Sequence, residues 1–250
     1  MHTLTQHKKR AQIKQLFAFA VAFVMLNLVP FFAGATIDSA LLQDIKLKTP
    51  EEHINASKEL EGTDFKKALI EAQLAISRAS VNSPEVQIEA LSQAARVCFY
   101  IGLYDQAAEQ WLKAISIAES EAMLEKANRL KFNVVGLYMA MSEYDKAYEN
   151  IKPIITFFNA AGPDVVFTPS DKHAIQNNLA IIYGALFPDS ALTKFRNVIA
   201  FTHQYELTKN LKTSQQAMLT FLVHAEDWVR ADSLASVMSV DIEENAFDYA

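Results

Sequence analysis

Residues 91–114, LSQAARVCFYIGLYDQAAEQWLKA, decide how the chain is read. Leu91, Ala94, Ala95 and Cys98 fall at helical spacing and mark one face of a first amphipathic stretch. Gly102-Leu103-Tyr104-Asp105 interrupts it, and Ala107, Trp111 and Ala114 then occupy i, i+4 and i+7, the inner face of a second. The break has an echo further on, where Tyr104-Asp105-Gln106-Ala107 is matched by Tyr144-Asp145-Lys146-Ala147 with Ile151 and Ile154 behind it. A small residue held at one place in a second helix lets two antiparallel helices approach closely.

Working outward, the alanine recurs as Ala68, Ala107, Ala147, Ala191 and Ala231, at intervals of 39, 40, 44 and 40 residues. Such a period is the mark of a helical repeat array. Thr49-Pro50-Glu51-Glu52 opens it as an N-cap, a first-position proline and the glutamate of a capping box, so a short helix is expected to about Leu60. After the turn Glu61-Gly62-Thr63, residues 65–80 carry Ala68, Leu69, Ala72 and Ala75 at helical spacing. Ser83-Pro84-Glu85 starts the next hairpin, with its first helix near residues 86–101. The third uses Leu130, Val134, Val135 and Tyr138 before a turn at residues 142–145. A loop around Ala161-Gly162-Pro163 and Thr168-Pro169 accounts for the interval of 44. Ile175, Leu179, Ile182 and Tyr183, then Ala191, Phe195 and Val198, make the fourth pair, and residues 214–224 and 228–238 the fifth. The repeats thus form one domain over 49–239, preceded by a lead-in at 36–48 and followed by an acidic, weakly structured tail at 240–250 around Asp241, Glu243 and Glu244.

With these residues in place the chain resembles the tetratricopeptide repeat family, in a version with repeats of about 40 residues. Leu91 through Ala114 match the family's order of large and small residues, and Val134, Val135, Tyr138, Tyr144, Ala147, Ile151 and Ile154 match it again. The resemblance spans about residues 50 to 238 and is strongest over 86–158. It implies an all-α fold, a right-handed superhelix of about five antiparallel helix pairs whose first helices line a concave binding face. The family's concave positions map onto Arg96, Phe99 and Tyr100, onto Arg129, Phe132 and Asn133, and onto Gln176, Asn177 and Tyr183. There the arginines could meet carboxylates, the rings bury apolar groups and the amides bond peptide backbone. The alternative is that the arginines are satisfied by acidic residues nearby. The lysine–asparagine carboxylate clamp of the family's chaperone-tail binders has no convincing counterpart here.

The first 35 residues differ from the rest. Lys8, Lys9, Arg10 and Lys14 precede a mostly apolar run, residues 16–35, that ends in Ala33-Gly34-Ala35. This is the pattern of a secretory signal with a small-residue cleavage site, and Pro30 would leave the following segment extended for a peptidase. A run of this length also spans a bilayer of about 30 Å, so an uncleaved anchor stays open. Either way the basic head marks the cytoplasmic side and the repeats the other. The expected location is the periplasm, or the inner membrane with a periplasmic repeat domain if the anchor stays.

Without residues 1–35 the chain has 19 basic and 29 acidic residues, a formal charge of −10. That balance argues against nonspecific nucleic-acid binding. The lone Cys98 rules out an intrachain disulfide and reads as a small core residue. His53, His173, His203 and His224 lack zinc-type spacing, no phosphate-binding glycine motif occurs, and the Glu51–Glu52 and Glu243–Glu244 pairs read as capping and solvated runs. No metal or cofactor is expected. The leading reading is a non-catalytic scaffold for a peptide or protein, outside the cytoplasm. Two others stand beside it. One is the sensory input region of a membrane signalling protein such as a diguanylate cyclase or histidine kinase, which requires a longer chain. The other is a hydrolase in which His173 or His224 joins acidic groups, a role that depends on geometry rather than residue type.

Overall fold

Each of the five recurring alanines is the fourth residue of a helix, and each is buried. The computed structural model describes residues 48–80, 83–160, 165 and 167–247, with side chains described as far as residue 238. The expected signal segment, most of the lead-in, Ala161, Gly162 and Pro163 lie outside the described residues. The chain divides between residues 48 and 49, and the described helices all belong to the unit from Thr49 onward.

Ten helices are described: α1 Pro50–Leu60, α2 Phe65–Arg78, α3 Pro84–Tyr100, α4 Tyr104–Ser120, α5 Leu124–Ala140, α6 Tyr144–Ala160, α7 Pro169–Leu186, α8 Pro188–Gln204, α9 Thr208–His224 and α10 Trp228–Phe247. They pack as five successive pairs, the all-α repeat solenoid expected from the sequence. First helices also touch first helices, α1 with α3, α5 with α7 and α7 with α9, while among the described residues second helices make no comparable contact across repeats. That asymmetry puts the first helices on the inside of the curve.

The period has a simple local cause. Helices α3, α4, α5, α6, α8 and α9 are all 17 residues long, and most of the turns joining helices occupy three residues. At these turns one residue takes a left-handed backbone: Gly102, Ala122, Ser142, Glu206 and Glu226, all with φ between 53° and 78°. The residue after it donates its N–H back into the preceding helix, as Met123 does to Ala118 O at 2.8 Å and Leu207 to Thr202 O at 2.9 Å, closing a Schellman-type end. Of these five, only Gly102 is the residue type that adopts this backbone freely.

The expected boundaries and turns hold within a few residues in the first three pairs. Thr49 caps α1 with the full capping box, accepting from Glu52 N–H while the Glu52 carboxylate accepts from Thr49 N–H. In the fifth pair α9 begins at Thr208, six residues ahead of expectation, because polar Lys209, Asn210 and Lys212 hide the helix from a hydrophobic count without opposing it. Helix α10 continues through Asp241, Glu243 and Glu244 to Phe247, a stretch with no glycine or proline to stop it.

Side chains between the layers form one cluster per set of neighbouring pairs. Trp111, Cys98, Leu91 and Leu137 belong to the first large cluster, Ile151, Ile154, Phe158 and Ile182 to the second, and Phe195, Val198 and Leu222 to the third. Trp111 is 4% exposed, with the Phe99 ring centroid 5.9 Å away. In α7, Gly184 admits the Phe221 ring of α9, since a Cβ there would stand 3.1 Å from Phe221 Cδ2. None of the described helices is long and apolar enough to cross a membrane.

Candidate binding surfaces of the repeat array

Equivalent positions in α3, α5 and α7 carry Glu89, Arg129 and His173, and one turn later Gln93, Asn133 and Asn177. The first row ties neighbouring first helices together. Lys58 Nζ meets Glu89 at 2.6 Å, linking α1 to α3. Arg129 Nη1 donates to Asp171 Oδ1 at 3.0 Å, linking α5 to α7, and its Nε donates to Glu125 within α5. His173 Nε2 and Ser214 Oγ share a hydrogen bond of 2.7 Å, with Asn210 Nδ2 at 2.9 Å from His173 Nδ1, linking α7 to α9. From the second row, Gln93 Nε2 donates to Ser57 Oγ and Glu61 Oε2, both at 3.0 Å. Of the positions that the family resemblance assigned to a ligand, Arg129 is here used to join repeat to repeat, as is Arg96 through Glu61.

Burial works against the charge on Asp171, yet the hydrogen bonds from Arg129 and from Thr168 hold its carboxyl below the usual range. Burial likewise opposes the charge on Arg129, and bonds to Asp171 and Glu125 outweigh it and raise its pKa. The same pair shares the rim of a hollow of about 260 Å³ with Phe132, Asn133 and Ala174, floored by Phe158, Phe167 and Ile175. Asn133 is exposed and Phe132 half-buried, so this hollow presents an amide, a ring and a neutralised ion pair to whatever enters.

The other residues singled out from the sequence are dispersed. Arg96 pairs with Glu61 at 2.9 Å and donates to Gln93, which places it in the α1–α3 tie. Tyr100 is 55% exposed at the end of α3, its ring beside Phe65 and Phe99, and Phe99 itself leans on the Trp111 cluster. Asn177 is buried, and its Oδ1 has no hydrogen-bond partner among the described residues. Gln176 and Tyr183 lie toward α6 and α8: the Tyr183 ring meets Tyr148 at 6.0 Å and Phe187 at 5.1 Å, with Lys194 Nζ 4.8 Å above it. Gln176 lines a second hollow of about 230 Å³ between α6 and α8. Phe158 and Phe167, stacked at 4.5 Å with 12° between their planes, line both hollows and divide them.

Among the described residues, the histidines named as hydrolytic candidates make their hydrogen bonds to groups other than carboxylates. His173 has both ring nitrogens engaged by Ser214 and Asn210, and burial lowers its pKa. His224 is exposed, with Nδ1 2.9 Å from Thr220 O of its own helix. His53 does meet a carboxylate, Glu71 at 2.5 Å, but its ring is fully buried between α1 and α2, where the contact joins the two helices. No group of three or more His, Cys, Asp or Glu among the described residues is placed to hold a metal. Burial pushes the Cys98 thiol up to about 11, the behaviour of a packed rather than a reactive sulfur. The His173 tie and the lysines of the second hollow escaped sequence reasoning, because both depend on residues of different helices with no motif to announce them.

The geometry matches known repeat solenoids. A kinesin light chain-like protein of Podosopora anserina built from nearly identical TPR-like repeats aligns at a TM-score of 0.61 and 14% identity, over 79% of this chain and 99% of that one. A variant of the same protein gives 0.63 and 15%, over 80% and 99%. BtubC (BKLC) from P. vanneervenii gives 0.60 and 18%, over 82% of each. At such identities the likeness concerns the fold. No protein-family model matches this chain, and no curated protein matches it.

Proposed function

We propose that the chain is a non-catalytic scaffold that holds a peptide or protein segment on the first-helix face of its array, on the extracytoplasmic side of a membrane. The observation that carries this reading is the hollow at Arg129, Phe132 and Asn133. It joins an apolar floor to an exposed amide, the combination that seats a side chain while bonding its backbone. A helical-pair solenoid of tetratricopeptide type offers such a face along its length. The basic head and apolar run of residues 1–35 support the external address.

Capture from a periplasmic extract, followed by measured binding of the recovered partner, tests the scaffold role. Asn133→Ala should leave the melting curve unchanged and weaken that binding. Failure to recover any saturable partner would overturn the reading. N-terminal sequencing of the mature protein addresses location: a start at Thr36 is expected for a cleaved signal, and intact chain confined to the membrane fraction for an anchor.

A further inference from the structure

Many basic side chains of this acidic chain stand against a carboxylate of their own, as Lys113 does with Glu109 and Lys152 with Glu149. Lys172 and Lys194 do not: among the described residues neither has an acidic partner. Each ammonium instead lies over a ring, Lys172 Nζ 5.4 Å from the Phe201 centroid and Lys194 Nζ 4.8 Å from that of Tyr183. A ring orders the cation on one side without neutralising it, so the charge stays available to an anion. Both lysines line the hollow between α6 and α8, whose floor includes Ile175, Leu179 and Val198 and whose rim adds the amides of Asn159, Gln176 and Asn197.

The two cations are set apart along the groove. Phe201 and Lys194 are seven residues apart on α8, and Lys172 and Tyr183 eleven apart on α7. At about 1.5 Å rise per helical residue, the lysine positions are separated by on the order of 10 to 16 Å. An extended peptide advances about 3.3 Å per residue, so side chains at i and i+4 on one face stand about 13 Å apart, with i+2 between them. We infer that the groove between α6 and α8 binds an extended acidic segment of a partner protein in which two carboxylates, four residues apart, flank a large apolar side chain. The carboxylates meet Lys172 and Lys194, the apolar side chain fills the floor, and the three amides bond the peptide backbone. This inference rests on the scaffold reading and adds to it a second contact surface of stated chemistry, the α6–α8 groove, separate from the hollow at Asn133.

The probe is a fluorescein-labelled peptide with a leucine flanked two residues away on each side by glutamate, titrated with the full chain in mild detergent and read by anisotropy. Saturable binding is expected, lost when both glutamates of the peptide become glutamine and weakened when they are placed side by side. Lys172→Gln and Lys194→Gln should each weaken binding about fivefold, with Lys194→Arg close to wild type. Lys172 is exposed and Lys194 half-buried, and unchanged melting curves would confirm that the variants fold. Asn133→Ala should have no effect on this peptide. Absence of saturable binding, equal binding of the glutamine peptide, or a Lys172→Gln/Lys194→Gln double variant that binds as wild type would each overturn the inference. The scaffold reading stands or falls separately, on the Asn133→Ala measurement with the captured partner.

Discussion

Two connections between helical pairs behave differently. At residues 121–123, α4 passes to α5 through a single left-handed residue, Ala122, and the helices on either side share the cluster around Trp111. At residues 161–168, α6 passes to α7 through a longer connection that ends in the Thr168 capping box. Beside it the ring of Phe167 lies on Phe158, with a hollow on either side of the stack. Uniform helix and turn lengths keep each helix in register with its neighbour and fill the interface with buried side chains, the Trp111 ring among them. Added residues release that register, and rings bridge what the helices no longer close. Stability belongs to the first kind of junction and accessible chemistry to the second.

The largest effect that should sharpen this contrast is Trp111→Ala. Its ring is almost fully buried, and neighbours in a close-packed layer cannot refill the space, so a loss of about 3 to 5 kcal/mol is expected in denaturant titration. Wild-type stability for this variant would remove Trp111 from the core of the tight junction. At the open junction, Phe167→Ala removes a half-buried ring and one stacked pair, and a smaller loss of about 1 to 2 kcal/mol is expected. If it destabilised the chain as much as Trp111→Ala, the distinction between the junctions would collapse.

The tight turns carry a cost that can be relieved. Ala122 at φ 55° and Glu206 at φ 53° hold a backbone that a side chain disfavours. Ala122→Gly or Glu206→Gly should therefore raise stability by about 0.5 to 1 kcal/mol. A loss of stability in both would show that the repeated turn is not strained. The smallest effect concerns the α7–α9 tie. Burial lowers the His173 pKa below its unfolded value of about 6.5, so the unfolded chain binds the proton more readily. The contribution of His173 is full above that pH and is lost as pH falls through the unfolded pKa toward the lower folded one. Titrating wild type and His173→Gln from about pH 7.5 to 5.5 should show the advantage of wild type shrinking with acid. An advantage that grew with acid would mean that the imidazolium, not the neutral ring, joins the helices.

The repeat was legible because its decisive residues are small and periodic. Ala68, Ala107, Ala147, Ala191 and Ala231 announce a close helix approach whatever surrounds them, and all five are buried where that approach occurs. Polar positions are a different matter. Arg96, Arg129 and Gln93 have the same sequence neighbourhood whether they face a ligand or a carboxylate on a neighbouring repeat, and Glu61 and Asp171 became their partners only through the packing that brings first helices together.

The sequence alone determined the helical class, the number of pairs and the faces that meet, since spacing at 3.6 residues per turn and a small residue at a fixed place suffice for those. Tertiary structure decided which polar side chains are spent on holding repeat to repeat and which stay available to a ligand. Lys172 and Lys194 belong to different helices and share no motif, yet they line one groove because α7 packs against both α6 and α8. Whether a charge is paired depends on distances across helices, and the fold sets those distances.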